Sequence, residues 1–149
     1  MKKIILLLVL TMGILTFTNA QEVGIRVGSG AAAHANGALD VVFSTSQFSR
    51  LHGDVSFGYG IGIDLLWDFL YRPLGGEAFN WYIGAGPYTL IHPDHFHLGA
   101  VGEIGLEYHF NSVPIALGLD WRPYFRIIDD TGFSFAGGGL NIRYVFGKK

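Results

Sequence analysis

Three sets of residues in this chain have the types and spacing to do chemistry. The first is a series of charged groups alternating with apolar ones: Glu103 and Glu107, then Asp120, Arg122 and Arg126, then Arg143. In an extended chain, residues two or four apart lie on one face. These carboxylates and guanidiniums can therefore meet as bidentate pairs, or line a narrow conduit. Arg26, Asp64 and Asp68 have the same phase earlier in the chain and join the expected network. The second set is His92, Asp94, His95 and His97, four metal-ligating side chains within six residues, suited by type to zinc or copper. His95 and His97 are two apart, so an extended segment points them the same way. The third is the nucleophile–base combination of an acyl-transfer enzyme. His52 and Ser56 lie four apart in one segment, in the charged phase. A hydroxyl nucleophile needs its base within hydrogen-bond reach, and no serine and histidine lie side by side on the apolar phase.

What must position these groups is a set of strands. In VPIALGLDWRPYFRI (113–127) every second residue from Val113 to Ile127 is apolar, while the other phase carries Asp120, Arg122 and Arg126. Leu98 to Phe110, Ile61 to Arg72 and Arg50 to Tyr59 alternate in the same way. Period two over such lengths means strands with unlike faces. The pattern predicts eight strands near 22–33, 37–46, 49–58, 60–72, 79–91, 97–110, 113–127 and 133–146. The breaks between them are short and rich in Gly, Pro, Asn and Asp, so neighbours are expected to be antiparallel. No segment of 21–149 reads as a helix and no linker divides it, so 21–149 is expected to be one domain.

The placement of charge indicates which face is enclosed. All six arginines (Arg26, Arg50, Arg72, Arg122, Arg126, Arg143) fall in the polar phase, with Glu22, Asp40, Asp54, Asp64, Asp68, Glu103, Glu107 and Asp120. The other four acids, Glu77, Asp94, Asp129 and Asp130, fall in predicted turns. A water-facing sheet is normally rich in lysine, yet the only lysines here are Lys2, Lys3, Lys148 and Lys149. Arginine forms confined, forked pairs with carboxylates. The apolar phase carries Trp67, Tyr71, Trp81, Tyr108, Phe110, Trp121, Tyr144 and Phe146 near strand ends, as an interfacial girdle would. The expected fold is a closed, all-β, antiparallel, eight-stranded up-and-down transmembrane barrel with a polar, ion-paired interior. A secreted soluble lipid-binding barrel, with the faces reversed, is the alternative. An eight-stranded interior is just wide enough to be filled by side chains, so a packed ion-pair network is favoured over a conduit.

Residues 1–20 are expected to be a secretory signal peptide: Lys2 and Lys3, an apolar run from Ile4 to Phe17, then Thr18-Asn19-Ala20. That run is short for a membrane-spanning helix. The chain has no cysteine, hence no disulfide and no lipid-modified thiol. A formal net charge of −2 argues against a nucleic-acid partner.

The stretches FNWYIGAGPY (79–88), VGEIGLEYHF (101–110), PIALGLDWRPYF (114–125) and GGGLNIRYVF (137–146) carry a family resemblance. With them the chain resembles the eight-stranded outer-membrane barrels of Gram-negative bacteria. More narrowly it is similar to small, uncharacterised barrel proteins of the Bacteroidetes. Leu119-Asp120-Trp121-Arg122-Pro123 is the most specific piece, and an aromatic last strand ending at Phe146 fits, although Gly147-Lys148-Lys149 follow. The resemblance implies an integral outer-membrane protein with both termini in the periplasm. Its implied partners are outer-membrane lipids, including lipopolysaccharide, and the assembly machinery; a monomer is the expected state. It implies a structural, envelope-associated role without catalytic residues or cofactor. A lipid A-modifying enzyme, a known activity among such barrels, is the second alternative.

Overall fold

The computed structural model describes residues 21–31, 37–58, 60–76 and 78–147. The expected signal peptide and most of the 34–37 turn lie outside the described residues. Ten extended segments follow one another: β1 (Glu22–Ser29), β2 (Ala38–Ser46), β3 (Ser49–Phe57), β4 (Ile61–Pro73), β5 (Phe79–Ile91), β6 (Phe96–His109), β7 (Ile115–Trp121), β8 (Tyr124–Ile128), β9 (Gly132–Ser134) and β10 (Gly138–Val145). No helix occurs among the described residues. β1 to β6 pair in sequence, all antiparallel, and β1 also pairs with β10. β7 and β8 both pair with β6, β10 pairs with β7, and β9 with β8. β7 with β8, and β9 with β10, thus each form one wall of a closed, eight-stranded antiparallel barrel.

The long strand expected over 113–127 is interrupted at Arg122-Pro123. Proline has no N–H to give to a ladder, so regular pairing stops at Trp121 and resumes at Tyr124. The register nevertheless carries straight across: Ile104 faces Trp121 and Val101 faces Tyr124. The Gly102 N–H donates to the Pro123 carbonyl at 2.9 Å, holding the gap closed. The strand expected over 133–146 is also broken. Trp121 faces Gly138 while Tyr124 faces Ser134. Three residues, 135–137, therefore oppose two, which is a bulge. It turns Phe135 outward, where the Trp121 indole N–H donates to its carbonyl at 2.9 Å and the two rings lie parallel, 6.4 Å apart.

A second bulge corrects the sequence phase of β4. Trp67 faces Ala85, but Leu70 faces Ile83, so β4 carries one extra residue. A one-residue slip sends every later side chain to the other face. Tyr71, expected in the outward aromatic set, points inward: its hydroxyl donates to Glu107 Oε1 at 3.0 Å. Arg72, expected among the inward charges, lies instead over the Phe48 ring at 3.5 Å.

Elsewhere burial alternates as the charge pattern does. Asp120 and Arg122 are 3% and 0% exposed, while Leu117 and Leu119, on the same strand, are 40% and 55% exposed. Glycines admit the large buried side chains. A Cβ on Gly105 would fall 2.1 Å from Cζ of the buried Tyr82 ring, which in turn carries the Arg50 guanidinium 4.4 Å from its centroid. Gly105→Ala should cost about 1–3 kcal/mol, the usual range for overpacking. Gly102→Ala, whose Cβ would meet nothing nearer than 3.8 Å, should change stability by less than about 0.5 kcal/mol. Denaturant midpoints of the two variants check this contrast.

Candidate functional site: a buried charge network and a histidine turn

Each strand delivers its charges by parity. β6 supplies Glu103 and Glu107, β10 supplies Asn141 and Arg143, and β3 supplies Arg50, His52 and Asp54. Asp120, the last inward residue of β7, is followed two residues later by Arg122 in the Pro123 break. Arg122 is the hub of the network. Its Nε donates to Glu103 Oε2 at 2.9 Å and lies 3.6 Å from Asp120 Oδ1; its Nη1 bonds Asp54 and stands 3.5 Å from Asp64 Oδ2. Arg26 Nε donates to Asp120 Oδ2 at 2.8 Å. Arg50 links Asp68 at 2.6 Å to Glu107 at 2.9 Å, between the Tyr71 and Tyr82 rings. Arg143 bonds Glu107 and approaches Glu22 at 3.2 Å. The two ring nitrogens of His52 face Asp40 at 2.8 Å and Glu103 at 3.0 Å.

Of the network residues expected from the sequence, Arg26, Asp64, Asp68, Glu103, Glu107, Asp120, Arg122 and Arg143 are buried together. Arg126 is not among them. It is half-buried, and no carboxylate among the described residues lies within ion-pair distance of it. The reason is its position on β8. Tyr124, one step nearer the hub, packs against an apolar cluster of Ala31, Leu66, Tyr88 and Val101. Arg126 lies two residues further along β8, beside a cleft of about 340 Å³ that Tyr124, Asp130, Thr131 and Ser134 also line.

Five buried members, Glu22, Asp40, Arg50, His52 and Asp54, were not among the residues named for the network from the sequence. All share the inward parity, so the signal was present. For Glu22 and Asp40, glycine and alanine neighbours on β1 and β2 weaken the contrast between phases, whereas Arg50, His52 and Asp54 lie on β3, where the alternation was clear. His52 and Ser56 are both buried, facing the network rather than the outer surface.

The histidine turn is rearranged relative to expectation. Asp94 is 81% exposed at its side chain and its carboxylate lies 4.0 Å from His92, so it does not join His95 and His97. Those two converge instead on Asp129, from the turn after β8: His95 Nδ1 and His97 Nε2 each lie 3.5 Å from Asp129 Oδ2. The sequence offered no link between residues 95 and 129; the pairing of β6 with β8 creates it. Among the described residues three groupings could hold a cation by ligand type and proximity, and the His95–His97–Asp129 turn is not one of them: Glu22–Glu107–His109, Asp40–His52–Asp54 and His52–Asp68–Glu103. Each includes a residue bonded to or facing an arginine of the network.

No family model, curated protein or solved structure matches this chain.

Proposed function

We propose that the chain is an integral outer-membrane barrel of a Gram-negative bacterium, exported by its N-terminal signal peptide and serving a structural, envelope-associated role without catalysis. One observation carries this reading: the barrel encloses arginine and carboxylate side chains while apolar ones cover its outside. Ile25, Leu65, Trp67, Ile104, Leu119 and Ile142 are all 48–57% exposed. A contiguous apolar surface of this kind is unfavourable in water and is what acyl chains solvate. A closed barrel also pairs its backbone groups internally, as a lipid environment demands. The enclosed ion pairs replace an apolar core, and Tyr82, Leu66 and Tyr88 fill what remains. The lumen is therefore packed rather than open to conduction.

The soluble lipid-carrier alternative needs an apolar interior to hold its cargo. The largest fully buried side chains here are Arg26, Arg50, Arg122 and Arg143. In the proposed orientation both termini face the periplasm, outer-membrane lipids including lipopolysaccharide surround a monomeric barrel, and Tyr144 and Phe146 end the last strand for the assembly machinery. The kinship proposed is with the small Bacteroidetes barrels. Cell fractionation followed by electrophoresis of heated and unheated samples tests this. The expected outcome is an outer-membrane protein whose band shifts on heating. Detergent-free release as a soluble protein would reject it.

A further inference from the structure

We propose that the cleft of the β8–β9 hairpin binds a small zwitterion, with Arg126 taking its oxyanion and Asp130 its ammonium. Phosphoethanolamine has this chemistry, whether free or as the headgroup of a lipid. The inference goes beyond the envelope-barrel reading, and its central measurements do not depend on it. The cleft lies at the end of the barrel opposite Gln21 and Phe146, which are bonded to each other at 2.7 Å.

Two opposite charges line this cleft without closing on each other. Among the described residues no carboxylate lies within ion-pair distance of Arg126, and no cation within that distance of Asp130. The adjacent acid is engaged elsewhere: Asp129 Oδ2 lies 3.5 Å from a nitrogen of both His95 and His97. Asp129 and Asp130 have φ of 61° and 72°, two consecutive left-handed residues as in the tightest hairpin turns. That backbone turns one carboxylate to the histidines and leaves the other on the cleft. An arginine and an aspartate held apart in one hollow suit a ligand that carries both charges. A simple anion would meet Asp130 as a like charge, and a simple cation would meet Arg126 so.

The arginine side of the cleft also holds unused donors. Arg126 Nε is buried and makes no hydrogen bond among the described residues; the same holds for the hydroxyl of Tyr88, which is 1% exposed. Buried polar groups without a partner are costly, and an oxyanion can accept from both. Gly99 brings the two together, since it pairs with Tyr88 on one neighbouring strand and with Arg126 on the other. A Cβ on Gly99 would fall 2.6 Å from Tyr88 Cε1 and 3.1 Å from Arg126 Cα, so only glycine lets the Tyr88 ring lie across it toward Arg126. Tyr88 in turn meets Tyr124, a wall of the cleft, edge-on at 5.7 Å. Ser134 Oγ accepts the Ala136 N–H at 3.1 Å and keeps its own O–H to donate. A volume of about 340 Å³ is at the small end of ligand sites and suits a headgroup-sized molecule.

The test folds the full chain in an uncharged maltoside detergent. It is titrated with O-phosphoethanolamine and, separately, with ethyl phosphate, which keeps the oxyanion and lacks the ammonium; phosphorus NMR of the ligand reads both. Phosphoethanolamine should bind about two- to fivefold more tightly, the range of one partly exposed ion pair. Asp130→Asn keeps a residue that tolerates the left-handed backbone and should abolish that preference. Arg126→Met should weaken both ligands at least about tenfold, the loss of a charge-assisted forked contact. Asp94→Asn, on a neighbouring turn, should bind both as the parent does. Each variant is first checked for the parent's β circular dichroism. A short-chain phosphatidylethanolamine in the same detergent names the source: tighter binding than the free headgroup assigns a lipid, equal or weaker binding a diffusible ligand. No binding of phosphoethanolamine by the parent, equal affinity for the two phosphates, a preference that survives Asp130→Asn, or unchanged binding in Arg126→Met would each overturn the assignment.

Discussion

Replacing Arg122 with methionine is expected to destabilise the barrel by about 3–5 kcal/mol, the range for removing one partner of a buried pair. Its guanidinium is fully buried and within 4 Å of four carboxylates: Asp54, Asp64, Glu103 and Asp120. The loss is not shared evenly among them. Asp120 keeps Arg26 and Glu103 keeps His52. Asp54 keeps only His52, at 3.8 Å, and Asp64 has no other cation within ion-pair distance among the described residues. The buried set holds eight carboxylates against four arginines and one histidine, so each lost cation widens an existing excess. Arg122→Met should therefore fail more severely than any single buried Asp→Asn change. Adding Asp64→Asn and Asp54→Asn to Arg122→Met should restore part of the stability, because the stranded charges go with the arginine. Denaturant unfolding of the single and triple variants, followed by tryptophan fluorescence, makes the comparison. A triple variant no more stable than Arg122→Met would mean that Arg122 acts through packing and not through charge.

That dependence on one arginine shows what the sequence could and could not reveal. The strands, their antiparallel order and the enclosed charge followed from parity, because a barrel wall with unlike sides writes period two directly into the chain. Asp120 and Arg122, in phase with Glu103 and Glu107, were legible as one network for that reason. Parity fails at a bulge. Nothing in Trp67-Asp68-Phe69-Leu70 announces the extra residue, yet it turns Tyr71 onto Glu107 and carries Arg72 to Phe48. Pro123 could have been taken as a warning, since proline interrupts a ladder; the register survives there only because Gly102 bonds the proline carbonyl. Arg126 keeps the parity of Arg122 but not its surroundings, because parity fixes the side of the wall and not the depth along it. Asp129 was illegible for a further reason. Its meeting with His95 and His97 is a tertiary contact between turns more than thirty residues apart, and local pattern carries no trace of it.

An arginine placed on the outer face at Ile104 is expected to cost about 2–4 kcal/mol if that face meets acyl chains, because this is the range for a basic residue near the bilayer midplane of a barrel. Ile104 is 48% exposed and lies close to the middle of β6, between Ile83 and Trp121 on the neighbouring strands. Phe96, at the start of the same strand and 47% exposed, offers the internal comparison. An arginine there is within reach of headgroups and water, and its cost should fall to about 0–1 kcal/mol. The two positions have nearly the same exposure and share a strand and a face, so burial within the protein cannot account for a difference between them. Only a solvent that changes along the strand can. Ile104→Arg and Phe96→Arg, refolded into lipid vesicles and unfolded with denaturant, should therefore separate by about 1–4 kcal/mol, at least about a fivefold difference in the folding equilibrium. A soluble barrel predicts no such gradient: both arginines would reach water and both variants would match the parent. Equal, small effects at the two positions would remove the membrane from the account of this fold while leaving the buried network as it is.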